Sequence, residues 1–168
     1  MHPFNLLALF FTLAAAAVLP RNTVWDGHCC FTLHDASGAT VQESNDGILL
    51  LNAGKTNSFF CINLSNSQNI LRDHAYNACF LNPSGLLKCV DPTPGFQSWT
   101  LKKSGSNTLL LHDGDGTFNS CSKPSLSAKG TVLYGDKHAD ATTCKKATLK
   151  AKNFKGACNN FSARSMLG

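Results

Sequence analysis

The chain has 168 residues, with 15 Lys+Arg, 10 Asp+Glu, six His and eight Cys, and a formal net charge of +5. That length holds one domain, or two small ones, and excludes a long multidomain enzyme. Charged residues at 15% and hydrophobic residues at 43% exclude a disordered polyampholyte, and eight cysteines against two methionines suit an oxidising compartment.

Residues 4–19 (FNLLALFFTLAAAAVL) form an almost wholly apolar run that ends in the small residues Ala14 to Ala17, ahead of Pro20 and Arg21. The run is short for a membrane span and sits at the N-terminus. It reads as a secretory signal over residues 1–19, cleaved between Ala17 and Pro20. Residues 20–168 are then expected to form a single disulfide-rich domain, with no integral membrane segment in the mature chain. About 150 residues bury roughly two thirds of their unfolded surface.

Short apolar runs follow, separated by Gly, Asn, Ser, Asp and Pro. They predict strands over 30–34, 47–51, 58–64, 78–81, 86–90, 98–102, 107–112, 131–134 and 146–154. Asp46-Gly47, Pro83-Ser84-Gly85, Ser104-Gly105 and Asp113-Gly114-Asp115-Gly116 supply turns between them. Within the last run Ala147, Leu149 and Ala151 alternate with Thr148, Lys150 and Lys152, the period of a half-buried strand. Residues 65–77 fit a loop or a short helix. Many short strands at this spacing predict an all-β fold, a β-trefoil-like barrel or a β-sandwich. A loose self-similarity of turn-then-strand segments at 47, 85, 107 and 130 is in keeping with a threefold β-trefoil.

Cys29, Cys30, Cys61, Cys79, Cys89, Cys121, Cys144 and Cys158 all fall in the mature region, and an even count predicts four disulfides. The vicinal pair Cys29 and Cys30 should not bond to itself, because the small ring is strained. Its members should staple one strand to two different places. No CxxC knuckle and no histidine pair at ligand spacing is present, so no metal or other cofactor is expected.

The charge is uneven. Residues 123–168 carry nine bases and two acids, whereas residues 20–122 carry six bases and eight acids. Lys145, Lys146, Lys150, Lys152 and Lys155 form a candidate basic patch, which would favour an acidic polysaccharide or an anionic surface. It reads equally as a solvated face. Arginine occurs three times, and no aromatic ladder interleaves the lysines, so no nucleic-acid partner is expected.

Catalytic signatures are missing. There is no GxSxG elbow, and paired cysteines leave no thiol nucleophile. A pair of carboxylates for glycoside hydrolysis is open to one Glu and nine Asp, but no pair stands out. DGDGTF at 113–118 would offer Asp113 and Asp115 to calcium, but Pro124 stands where the loop's closing glutamate belongs. An Asp-Gly turn explains it. Gln97-Ser98-Trp99 is a Q-x-W triplet of the kind that ricin-type β-trefoil lectins use once per repeat, where the tryptophan packs in the core and the glutamine braces the sugar loop. Trp99, Gln97, Asp91, His112, Asp113 and Phe118 are therefore the candidate ligand-binding residues, with Trp99 read also as a plain core residue. Asn63-Leu64-Ser65 and Asn160-Phe161-Ser162 are glycosylation sequons.

The stretch GFQSWTLKKSGSNTLLLHDGDGTFNSC from Gly95, then TVLYGDKHADATTC and a closing Cys158, resembles the cysteine-rich half of fungal cell-wall proteins of the PhiA-like and Pir mannoprotein types. The resemblance covers residues 85–158. It implies a small secreted fungal protein with a β-trefoil-like domain that associates with wall glucan. The chain lacks the glutamine-rich Pir repeat that anchors such proteins covalently, and it carries extra cysteines at 29, 30, 61, 79 and 89, a density typical of secreted effectors. The expected function is non-enzymatic carbohydrate binding in the cell wall or extracellular space. The alternative is a cysteine-rich effector or toxin that contacts a host surface component.

Overall fold

The computed structural model describes residues 24–68, 70–91, 98–123, 126, 130–137 and 143–159; Asp91 is described in its backbone alone. The expected signal segment, Gln97 and Asn160 lie outside these residues.

Thirteen strands follow one another without a helix among the described residues. They are β1 (Cys29–His34), β2 (Gln42–Glu43), β3 (Leu49–Leu51), β4 (Phe60–Ile62), β5 (Leu71–Arg72), β6 (Ala78–Leu81), β7 (Leu87–Asp91), β8 (Trp99–Ser104), β9 (Asn107–His112), β10 (Thr117–Ser122), β11 (Thr131–Gly135), β12 (Cys144–Thr148) and β13 (Lys150–Gly156). They make two antiparallel sheets, in the orders β7-β6-β5-β4-β1-β13-β9-β8 and β12-β10-β11-β3-β2. The end strands β7 and β8 of the larger sheet do not pair with each other among the described residues. Hydrogen bonding therefore closes no barrel, and the arrangement is sandwich-like and all-β.

Period-two patterning explains which faces meet. Along β8, Trp99 and Leu101 are buried while Thr100 and Lys102 are exposed. Phe31, Leu33, Phe60, Leu71, Trp99 and Leu110 of the larger sheet join Leu49, Leu51, Phe118 and Leu133 of the smaller one in a single apolar core. Strand β1 is buried on both faces: Cys29, Phe31 and Leu33 enter that core, whereas Cys30 packs with Phe59 and Cys61 in a second cluster. Opposite faces for successive residues are why the vicinal cysteines find different partners, Cys158 for Cys29 and Cys61 for Cys30. The other bridges are Cys79–Cys89 and Cys121–Cys144. Cys30–Cys61, Cys79–Cys89 and Cys121–Cys144 each join residues directly opposed on neighbouring strands.

Three hairpins, β2–β3, β6–β7 and β10–β11, touch in a ring. Ile48 bridges Lys88, Leu86 bridges Tyr134, and Val132 pairs with Leu50. The Cys89 amide donates to the Gly47 carbonyl, and the Gly135 amide donates to the Gly85 carbonyl, each at 2.8 Å. Gly47 has φ +73°, and a Cβ there would lie 2.1 Å from the Cys89 carbonyl oxygen, so only glycine permits this approach. Side-chain oxygens of Asp35, Asp73 and Asn82 each accept backbone amides two and four residues on, or four residues on alone for Asp35, and lock the turns.

Three strands were not read from the sequence: β2, β5 and β10. β2 and β5 are two residues long, and β10 (TFNSCS) is mostly polar. Residues 65–77, expected as a loop or short helix, hold turns and β5. The expected single strand 146–154 is two strands. The chain passes between sheets at Leu149, which is fully buried and whose carbonyl accepts from the Leu110 amide.

Candidate functional site

A first cavity of about 670 Å³ opens between the 82–85 turn, the 112–117 turn and the end of β11. Leu81 and Pro83 supply its apolar wall, with Phe118, 1% exposed, behind it; Asn82, His112, Asp113, Asp115, Asp136 and Lys137 supply polar groups. The tight Asp-Gly turn places them. The His112 amide donates to the Asp115 carbonyl, the Asp115 amide returns to His112, and Asp115 Oδ1 accepts from the Thr117 amide. This is the Asp turn expected for DGDGTF. Asp113 stands at φ +51°, with its amide on the Ser98 carbonyl.

His112 lies against Trp99, ring centroids 4.6 Å apart, and its Nδ1 is 3.4 Å from Asp113 Oδ2. Burial holds its pKa below the ordinary value; Asp113 opposes this and Lys137 reinforces it. A neutral imidazole offers one donor and one acceptor. Asp113 is largely exposed, with 65% of its side chain accessible. Carboxylates with this exposure can exchange water for sugar hydroxyls.

Of the residues expected to bind ligand, His112 and Asp113 therefore line one cavity, with buried Phe118 at its back. Trp99 is a correction. It is fully buried, its Nε1 donates to the Cys79 carbonyl at 2.7 Å, and it stacks with Phe118 at 6.4 Å. It backs the cavity from within the core and presents no ring to a ligand. The core reading of Q-x-W is the one that describes it. Asp91 closes β7, and Gln97 lies outside the described residues.

A second cavity, of about 620 Å³, was not read from the sequence. Glu43 and Asp73 meet there, a carboxylate oxygen of each within 4.8 Å of the other. Glu43 exposes 6% of its side chain, and Asp73 is 1% exposed. Burial pushes the Glu43 pKa up to about 8; the Ser58 hydroxyl, donating to Oε2 at 2.7 Å, opposes this, and Asp73 adds to it. Glu43 is the single glutamate of the chain, a signal that could have drawn attention to it. Asp73 is occupied by its own turn, accepting from the amides of Ala75 and Asn77 and from Asn77 Nδ2. Cys89, close to both, is committed to its disulfide with Cys79. Ser58 and Glu43 both approach Nδ1 of His74, at 3.4 and 3.3 Å. A nucleophilic triad needs serine and acid on opposite ring nitrogens, and this arrangement is not one.

The candidate lysines fall on two strands. Lys145 and Lys146 lie on β12, the edge of the smaller sheet, and Lys146 pairs with Asp136. Lys150, Lys152 and Lys155 lie on β13, in the interior of the larger sheet. Edge lysines discourage further strand pairing, so Lys145 and Lys146 are accounted for with no bound ligand. Asn63 sits one residue past β4 and half-buried, its Oδ1 accepting from the Ser65 amide. No helix among the described residues is long and apolar enough to cross a membrane.

Neither the known protein-family models nor the curated proteins contain a match to this chain.

Proposed function

We propose that the chain is a secreted, non-enzymatic fungal protein of the cell wall or extracellular space, and that it binds carbohydrate in the first cavity. The observation that carries this reading is the cavity's composition. Leu81 and Pro83 form an apolar wall, with buried Phe118 behind it, beneath a rim of His112, Asp113, Asp115 and Asn82. Sugars have the same division, with apolar C–H faces and polar hydroxyl edges, and most small-ligand sites combine an apolar wall with a few placed polar groups. Four disulfides fit an oxidising, extracellular setting. The ring of three hairpins, with matched amide-to-glycine bonds at Gly47 and Gly85, supports a β-trefoil-like variant.

Retention on insoluble β-1,3-glucan, chitin and cellulose tests the reading. Binding to at least one, lost in Asp113→Asn and His112→Ala, is expected; failure on all three overturns it. The alternative, contact with a host surface, draws on the exposed Lys145 and Lys152. Replacing Lys145, Lys146, Lys150 and Lys152 together would abolish activity under that alternative and leave glycan retention intact under ours.

A further inference from the structure

A second aromatic group lies apart from the first cavity. Trp25, in the turn before β1, meets Tyr76, in the turn after β5, at 4.7 Å between ring centroids and 86° between planes. His28 flanks both, at 5.8 and 6.2 Å. Trp25 rests on the Cys30, Phe59 and Cys61 cluster, so a disulfide anchors the base of this ledge.

Tyr76 is the least expected member. It is 44% exposed, the most exposed large hydrophobic residue among those described, and its φ is +71°. A bulky residue rarely adopts that conformation, and holding it costs on the order of 1–3 kcal/mol. Arg72 holds it in two ways: its guanidinium carbon lies 4.1 Å from the ring centroid, and Nη1 donates to the Tyr76 carbonyl at 2.8 Å. A turn that needed only to reverse the chain would use glycine or asparagine here. The ring is displayed at a cost, which points to a use for it.

The ledge continues into the second cavity. Phe59 lies 6.5 Å from Trp25 and 6.2 Å from His74, and both Phe59 and His74 line that cavity. Its rim adds exposed Thr56, Asn57 and Asn45, an amide and hydroxyl set suited to sugar hydroxyls. A few rings are far too little for a stable protein interface, which buries about 1,200–2,000 Å² in total. Because the two rings stand at right angles and Arg72 covers part of Tyr76, the exposed aromatic surface suits the C–H face of a single pyranose ring.

We propose that the Trp25–Tyr76 ledge and the adjoining second cavity form a further carbohydrate site, in which one pyranose ring of a polysaccharide packs on the exposed aromatic surface and its hydroxyls reach the cavity rim. The proposal rests on the carbohydrate reading above and adds a second contact. With two sites on one rigid chain, the protein holds a glycan at two points or links two glycans, and avidity follows.

The two tryptophans make this testable in isolation. Trp99 is fully buried, so an aqueous quencher reaches Trp25 alone among them. Soluble hexasaccharides of β-1,3-glucan, chitin and cellulose are titrated while acrylamide quenching is followed. At least one sugar should shield Trp25, and Tyr76→Gly should weaken that binding about tenfold without lowering the melting temperature, since glycine tolerates this φ. Trp25→Phe provides a milder second variant, followed by calorimetry. If sugars bind but Trp25 quenching and the affinity of Tyr76→Gly are unchanged, the ledge is overturned and the first cavity stands. If Trp25 is shielded while Asp113→Asn binds as wild type does, the ledge stands and the first cavity falls. If no sugar binds at all, both fall.

Discussion

The chain's two tryptophans stand in opposite circumstances. Trp99 begins β8 at full burial, its nitrogen satisfied by the Cys79 carbonyl and its ring stacked with Phe118. Trp25 is half-buried in a turn, its ring at right angles to an exposed tyrosine held in an unfavourable backbone conformation. The first region spends its aromatic surface on the core. The second leaves part of it in water and tolerates strain to do so. Residue type alone does not distinguish them; the number of covered faces does.

Substitutions can break this contrast. The largest effect should come from the bridge that ties β1, beside the Trp25 turn, to the end of β13. Replacing Cys29 and Cys158 by serine frees a loop with a sequence separation of 129. It should cost about 5 kcal/mol in denaturant unfolding on chain-entropy grounds. The Cys79–Cys89 bridge beneath Trp99 spans 10 residues and should cost about 2.5 kcal/mol. A reversed order would mean that packing around Trp99, not loop entropy, dominates.

Trp99→Ala should destabilise by about 3–5 kcal/mol, because it opens a core cavity and orphans a carbonyl. Trp25→Ala should cost roughly 1 kcal/mol and act mainly on sugar binding. Equal losses would erase the distinction between the two regions.

Another effect depends on pH. Glu43 has its folded pKa raised to about 8 from 4.5. Between those values the native state binds more protons than the unfolded state, so stability falls as pH rises through that window and levels off above it. Thermal unfolding should show the melting temperature dropping by roughly 10 °C between about pH 5 and pH 8. Glu43→Gln should flatten that slope, and an unchanged slope would place its origin elsewhere. The smallest effect is at the rim of the first cavity. Asp113→Asn should alter stability by less than about 0.5 kcal/mol while reducing glycan retention, since its side chain is mostly in water.

Much of the fold was legible because its signals are local. The alternation Trp99, Thr100, Leu101, Lys102 states which face is inward, and turns such as Asp46-Gly47 and Ser104-Gly105 state where strands stop. Adjacency of Cys29 and Cys30 was enough to expect two separate bridges. The shortest strands, β2 and β5, were invisible because two residues carry no period. β10 was hidden because buried Asn119 reads as polar; its Nδ2 donates to the Gly135 carbonyl, a partner 16 residues away.

The candidate sites divide in the same way. His112, Asp113 and Phe118 are close in the chain, and their shared cavity was foreseeable from a single turn. Glu43 and Asp73 lie thirty residues apart by number, and Trp25 and Tyr76 fifty-one; only strand pairing across β1, β4 and β5 brings such residues together.

Taken alone, the order of residues determined that this is a β protein, where most strands run and that every cysteine would be needed. Which cysteines join, which tryptophan is hidden and which carboxylates share a cavity were decided by the tertiary structure. The reason is one of range. Periodicity and turn chemistry act between near neighbours, whereas burial depends on what arrives from the opposite sheet, and disulfide choice depends on the register of strands distant in sequence.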